Sequence, residues 1–133
     1  MDKIELQKLQ AFLQRNFGAQ GLKVRTNPRN TNAADVTFGE RVIGVISLDT
    51  EDGDRSFAFE MKLPVQRDTL QAYVRKLFEN DKLKIMSRAK KTDSVELLND
   101  GEFLGIISAD NPAAASFTLQ MAILDIDLED DSL

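Results

Sequence analysis

Apolar residues along this chain follow a helical spacing in two separate segments. In the first segment the positions with helical spacing are Leu9, Phe12, Leu13 and Phe17. In the second segment they are Leu70, Tyr73, Val74, Leu77 and Phe78. Residues three and four apart share one face of a helix, so each pattern predicts an amphipathic helix with one buried side.

Strand-like alternation follows each predicted helix. Buried-type residues alternate with polar or small ones over residues 57–63 and again over residues 117–123, which predicts strands with one buried face. Segments 42–47 and 103–108 are apolar at nearly every position, which is typical of central strands. Gly44 and Gly105 occupy matching places in them, and a strand glycine indicates close approach of a helix or another backbone.

The ends of the helices carry recognisable signals. Asp2 with Glu5, and Asp68 with Gln71, have the spacing of a capping box at a helix start. Gly18 follows the first predicted helix, where glycine readily takes the left-handed conformation that ends a helix.

The whole pattern is one unit repeated. Residues 9–17, 22–24 and 43–49 align with residues 70–78, 83–85 and 104–110 at an offset of 61, and residues 56–61 align with 116–121 at an offset of 60. Each unit is interpreted as one helix followed by three strands, αβββ.

The predicted fold class is α+β, with two such repeats forming one pseudo-two-fold domain of antiparallel sheets covered by two helices. The predicted boundaries are 1–65 for the first unit, 66–128 for the second, and 129–133 for an acidic tail; one continuous sheet or two packed sheets both fit.

Composition excludes several kinds of chemistry. The 133 residues include no Cys and no His, which removes disulfides, thiolate metal sites, cysteine nucleophiles and the commonest general base. The formal net charge is −5, and the acidic excess lies in the second half of the chain. The first residues lack the apolar stretch of a signal peptide, and no apolar run reaches the ~18 residues of a membrane span. A cytoplasmic protein without membrane contact is expected.

The second copy resembles a family of short alphaproteobacterial proteins of unknown function. The resemblance rests on the helix 70–78, on Glu102-Phe103-Leu104-Gly105, and on the ending Met121-Ala122-Ile123-Leu124-Asp125-Ile126-Asp127-Leu128. It covers residues 67–130 directly and residues 5–63 through the internal repeat. Family members look like a single copy of the unit, so the resemblance implies that single-copy relatives dimerise as these two copies pack. It implies a bacterial, cytoplasmic origin and supplies no activity.

Two acidic segments offer candidate chemistry. The loop 49–54 contains four carboxylates and a glycine, which could supply oxygen ligands to Ca²⁺, but its spacing does not fit an EF-hand and a solvated turn is the favoured interpretation. Asp125 and Asp127 alternate as on one strand face and could share a proton if buried, although a soluble chain end is favoured. We therefore expect no catalytic residues, no metal and no cofactor, in a non-enzymatic protein.

Basic residues cluster in the two segments predicted to connect the first and second strands of each unit. Those proposed to contact a partner are Arg25, Arg29, Lys84, Arg88, Lys90 and Lys91. The leading hypothesis is a small protein–protein interaction or adaptor module that binds through a sheet edge or a helix–sheet groove. The alternative is nucleic-acid binding through the paired basic loops, if symmetry brings them to one side. The chain is expected to be a monomer with a pseudo-dimeric repeat, or a weak homodimer.

Overall fold

A computed structural model describes residues 1–50 and 55–129 of this chain. The elements of the first repeat are α1 (Lys3–Phe17), β1 (Leu22–Thr26), β2 (Ala33–Phe38), β3 (Arg41–Asp49) and β4 (Ser56–Leu63). Those of the second are α2 (Leu70–Phe78), β5 (Leu83–Arg88), β6 (Lys91–Asn99), β7 (Glu102–Ala109) and β8 (Phe117–Leu124), followed by the short helix α3 (Asp125–Glu129). Most of the acidic tail and most of the acidic loop 49–54 lie outside the described residues.

All eight strands form one antiparallel sheet in the order β1-β2-β3-β4-β8-β7-β6-β5. The two repeats meet at β4 and β8, which pair along their whole length from Ser56–Leu124 to Leu63–Phe117. The pair Glu60–Gln120 lies at the centre of this register, and these two residues are themselves equivalent in the repeat. A pseudo-two-fold axis therefore passes through that pair.

The predicted fold class, α+β with two repeats and antiparallel strands, is confirmed. The sheet is continuous, and each repeat has four strands, one more than the predicted αβββ unit. The additional strands are the short edge strands β1 and β5, whose segments look like basic connections in the sequence. In β1 only Leu22 and Val24 are buried, so the alternation is too brief to identify a strand by itself.

The core lies between the inner face of the sheet and the helices. The predicted stripe of α1 is buried at Leu9, Phe12, Leu13 and Phe17, and the alternate residues of β4 and β8 are buried as expected. Phe17 of α1 stacks on Phe78 of α2 with ring centroids 4.7 Å apart, and its edge meets Phe59 of β4 at 6.0 Å. These aromatic contacts join both helices to the central strands through one shared core.

The helix ends follow the sequence signals in the first repeat and depart from them in the second. Asp2 caps α1 by accepting a hydrogen bond from the Glu5 N–H at 2.8 Å, and Gly18 ends the helix at φ 61°. The predicted capping box of Asp68 with Gln71 is wrong. A turn of 3₁₀ helix at Arg67–Thr69 precedes α2, and no side chain caps that helix start.

Helix α1 covers the outer edge of the sheet at β1. The Val24 N–H donates to Gln10 Oε1 at 3.0 Å, and Gln14 Nε2 donates to the Leu22 carbonyl at 2.8 Å. Backbone groups on an edge strand otherwise offer a template for another chain. Two glutamines one helical turn apart therefore bond to one N–H group and one carbonyl group on the outer edge of β1.

Helix α2 repeats the arrangement at β5. The Ile85 N–H donates to Gln71 Oε1 at 3.0 Å, and Arg75 Nε donates to the Leu83 carbonyl at 2.7 Å. Gln71 and Arg75 are the equivalents of Gln10 and Gln14 at the offset of 61. Gln71 therefore holds an edge strand rather than its own helix start, which explains why it does not complete the capping box.

Gly44 and Gly105 lie where neighbouring strands touch. A Cβ atom at Gly44 would lie 2.5 Å from the Glu60 carbonyl oxygen, and one at Gly105 would lie 2.5 Å from the Gln120 carbonyl oxygen. The predicted close approach is confirmed, and the neighbour in each copy is the backbone of the adjacent central strand.

We expect Gly44→Ala to lower the free energy of unfolding by about 1–3 kcal/mol, because the new methyl group must displace a backbone carbonyl. Chemical denaturation measures this loss. The control is Ser47→Ala, at an exposed position of the same strand, which should stay within about 0.5 kcal/mol of wild type. Equal stability of both variants would contradict the close approach.

We expect Gln10→Ala to destabilise the chain by about 1 kcal/mol and to speed amide exchange at Val24, because the edge N–H loses its acceptor. Gln7→Ala, an exposed glutamine of the same helix, provides the matched control. Unchanged exchange at Val24 in Gln10→Ala would show that the glutamine does not hold the edge.

Candidate functional site

The predicted basic residues lie at opposite edges of the sheet. Arg25 is exposed on β1, Lys84 is exposed on β5, and the sheet order separates these strands by six others. Arg29 is exposed in the loop after β1. The sheet order therefore gives two basic segments, one at each end, and does not make them neighbours.

The second basic segment is a tight hairpin between β5 and β6. Lys90 turns the chain at φ 64° and Lys91 begins β6, both with exposed side chains. Arg88 is half-buried and donates from Nη1 to Ser94 Oγ at 2.9 Å. Of the predicted residues, Lys84, Lys90 and Lys91 are thus exposed, while Arg88 joins the two strands beside the turn.

The paired carboxylates of the second repeat are arranged differently from the sequence expectation. The prediction that Asp125 and Asp127 share a strand face is wrong, because β8 ends at Leu124 and both residues lie in α3. Asp127 Oδ2 instead accepts a hydrogen bond from the Leu124 N–H at 3.0 Å. This carboxylate therefore caps the end of β8.

The calcium expectation for the loop 49–54 concerns residues 51–54, which lie outside the described part of the chain. Across residues 1–50 and 55–129, no group of three or more acidic side chains could hold a metal ion.

An open groove of about 660 Å³ lies where β7 separates from β8. We call it the second-repeat groove. It is lined by side chains of the strands, of α1 and of α3: Phe12, Asn16, Ala58, Glu60, Phe103, Leu104, Gly105, Ile106, Gln120, Met121, Ala122 and Asp127. The lining is mainly apolar, and its polar or charged residues are Asn16, Glu60, Gln120 and Asp127.

The separation of the strands has a local cause. The β7–β8 ladder ends at the Ile106–Gln120 pair, next to the tight contact at Gly105. One residue further, Leu104 occupies a bulge in the β6–β7 ladder and its side chain is buried. The bulge turns β7 away from β8, so the wall of the groove depends on both the glycine and the bulge.

The first repeat has an equivalent groove in two smaller parts of about 380 and 150 Å³. We call this the first-repeat groove; Val42, Ile43, Met61 and Lys62 line both parts. Tyr73 and Leu77 of α2 stand where Phe12 and Asn16 of α1 stand in the other groove. The expected equivalence of Phe12 with Tyr73, and of Met61 with Met121, is visible in these paired linings.

The two grooves differ because of Lys62. Its ammonium group crosses from β4 to β8, where it donates to Thr118 Oγ1 at 2.9 Å and lies 3.5 Å from Asp110 Oδ1. The equivalent residues in the second repeat are Ala122 and Ala58. Two alanines therefore stand beside the second-repeat groove where the first repeat has this lysine–threonine bridge.

Asp110 anchors this bridge. It accepts hydrogen bonds from Thr118 Oγ1 at 2.6 Å and from Ser116 Oγ at 2.7 Å. These two hydrogen bonds, with a smaller contribution from the Lys62 ammonium, hold the pKa of Asp110 below its usual value, because each favours the charged carboxylate.

The sequence comparisons agree with the repeat seen in the fold. A model of the family described as "Protein of unknown function (DUF3126)" matches residues 5–65 and again residues 67–127. The chain belongs to the DUF3126 family. Each match spans one helix and four strands, so each repeat is one DUF3126 unit. No curated protein and no solved structure matches the chain. None of its described helices is long and apolar enough to cross a membrane.

The sequence predicts partner binding at a helix–sheet groove or a sheet edge, but the residues predicted to contact a partner do not line the second-repeat groove. Its strands and glycine were identified as structural, but the end of the β7–β8 ladder depends on the register between distant strands. One signal was present: Met61-Lys62-Leu63-Pro64 departs from Met121-Ala122-Ile123-Leu124 at the positions that distinguish the two grooves.

We expect Asp110→Asn to destabilise the protein at neutral pH and to reduce its sensitivity to acid. The lowered folded-state pKa means that the Asp110 carboxylate contributes stability above about pH 4, which is lost as the pH falls through that folded pKa. The difference in Tm between wild type and variant should therefore narrow below about pH 4. The control is Asp100→Asn, in an exposed turn; a pH-independent difference for Asp110→Asn would contradict the assignment.

Proposed function

We propose that this DUF3126 protein is a non-enzymatic interaction module that binds another protein through the second-repeat groove. The observation that carries the proposal is the contrast between two equivalent grooves: Lys62 lines both parts of the first, and the small Ala122 takes its place in the second. A mainly apolar groove with a few polar groups is typical of a surface that receives a partner side chain.

The outer edges of the sheet are less suited to this role. A sheet edge and a helix–sheet groove are the two surfaces through which an adaptor of this kind is expected to bind. Helix side chains already bond to both outer edge strands. A peptide adding there would have to displace Gln10 or Gln71. Binding in the second-repeat groove leaves these outer-edge contacts in place, so the groove is favoured over the outer edges as the binding site.

One exposed apolar side chain lines the second-repeat groove, and two more lie close in sequence to its lining residues Ala122 and Asp127. Phe103 lines it and is 56% exposed, while Leu124 at the end of β8 is 53% exposed and Ile126 in α3 is 67% exposed. Large apolar groups gathered beside a groove are typical of a binding surface, since solvent exposure is unfavourable for them in the free protein.

Both halves of the pseudo-dimer come from one chain, and we propose that the module acts in a bacterial cytoplasm as a monomer or a weak homodimer. The β4–β8 contact already joins the two units along eight residue pairs. A single-copy relative would reach the same arrangement by forming a homodimer through that strand.

Nucleic-acid binding is the alternative function. It is favoured by one observation, the β5–β6 hairpin with its exposed Lys84, Lys90 and Lys91. A nucleic acid would contact this hairpin through phosphates, and its affinity would fall steeply with salt.

The test is affinity capture from native extract with three tagged proteins: wild type, Ala122→Lys and Lys62→Ala. Ala122→Lys places in the second-repeat groove the residue that bridges the first. We expect this variant to capture at least about tenfold less partner than wild type, which corresponds to about 1.4 kcal/mol of binding free energy. Lys62→Ala, the matched control at the equivalent position, should retain the partner.

The same experiment with nuclease separates the two functions. A partner that survives nuclease and is lost in Ala122→Lys supports the proposal. Capture that vanishes with nuclease, and with the combined substitution of Arg88, Lys90 and Lys91 by Ala, supports nucleic-acid binding instead. A protein partner retained equally by all groove variants would contradict the assignment of the site.

A further inference from the structure

Strand β8 has an inner edge that β7 does not cover. The β7–β8 ladder ends at Ile106–Gln120, whereas β8 continues to Leu124 with β4 on its other side. Among the described strands, residues 121–124 of β8 therefore pair on one side alone. A strand with an uncovered side presents peptide N–H and C=O groups with which an extended chain can pair.

One backbone group of this inner edge already bonds to a side chain. The Leu124 N–H donates to Asp127 Oδ2 at 3.0 Å, and Asp127 lines the second-repeat groove. The N–H of Leu124 therefore faces the groove side of β8 and is satisfied by an oxygen acceptor from α3. A peptide carbonyl presents the same kind of acceptor and could replace the carboxylate there.

The first repeat closes the equivalent edge with two substitutions. Pro64 stands where the second repeat has Leu124, and proline has no N–H to donate. Lys62 stands where the second repeat has Ala122. Proline and lysine are both residues by which natural sheets protect an edge from further pairing. The inner edge of β4 is thus blocked, while that of β8 keeps a donor and a small side chain.

Charge distinguishes the two grooves further. Of the described residues that line the second-repeat groove, the charged ones are Glu60 and Asp127, both acidic. The first-repeat groove has Glu60 in its larger part, Lys62 in both parts and Arg41 in the smaller part, so its charged lining is mixed. A ligand for the second-repeat groove is therefore expected to present a basic group beside its apolar one.

We propose that the second-repeat groove receives an extended peptide segment that pairs with the inner edge of β8. One apolar side chain of the segment enters between Phe12 and Met121, and a neighbouring Lys or Arg faces Glu60 and Asp127. This inference rests on the proposed function and adds to it the chemistry of the partner segment and the way it binds.

The test selects ligands from a phage-displayed library of random peptides on the purified full chain. We expect enrichment of peptides with an apolar residue flanked by Lys or Arg. A synthetic copy of an enriched peptide should bind wild type and Lys62→Ala equally, and should lose at least about tenfold in affinity for Ala122→Lys. Asp127→Asn keeps an oxygen acceptor but removes the negative charge. This variant should bind the peptide several-fold more weakly than wild type, with the largest difference at low salt.

Backbone pairing is tested by N-methylation of the same peptide. Each peptide variant has one methylated amide. Binding should be lost when the methylated position is one of every second residue, because every second N–H of an added strand points to β8. Loss at every position or at none would overturn strand addition, and enrichment of acidic peptides or of none would overturn the assigned ligand class. If partner capture still depends on Ala122 in either case, the proposed function stands and this inference alone fails.

Discussion

The pairing of β4 with β8 is the contact on which the rest of this molecule depends. Eight residue pairs centred on Glu60–Gln120 convert two four-stranded units into one continuous sheet. Phe17 of α1 and Phe78 of α2, which are equivalent in the repeat, stack on each other in the core between the helices and the sheet. A unit of about 60 residues buries little apolar surface and is only marginally stable alone. The shared core therefore stabilises the folded state of both repeats.

Symmetry within one chain allows the two halves to diverge, which a homodimer of identical units cannot do. Gly44 and Gly105 meet the same carbonyl of the adjacent strand in each half, so both halves retain a strand that separates beyond the glycine. The halves differ where that separation opens. Lys62 and Pro64 line the smaller part of the divided first-repeat groove, while Ala122 and Leu124 take their places in the second repeat.

The same chain treats its outer and inner strand edges in different ways. Helix side chains bond to the outer edges at β1 and β5, and the first inner edge has a proline and a bridging lysine. These are three separate protections against unintended strand pairing. The inner edge of β8 has neither the proline nor the lysine of the first repeat, and its Leu124 N–H bonds to Asp127.

Local pattern alone determined much of this protein: the repeat, the helix faces of α1 and α2, the alternation of β4 and β8, the cap at Asp2 and the tight contact at the two glycines. These features depend on residues close in sequence, or on a comparison between copies. The strands β1 and β5, the helical state of Asp125 and Asp127, and the role of Gln71 depended on tertiary contacts. The groove did so most of all, because the register between β7 and β8, set by packing of residues far apart in the chain, decides where that ladder ends.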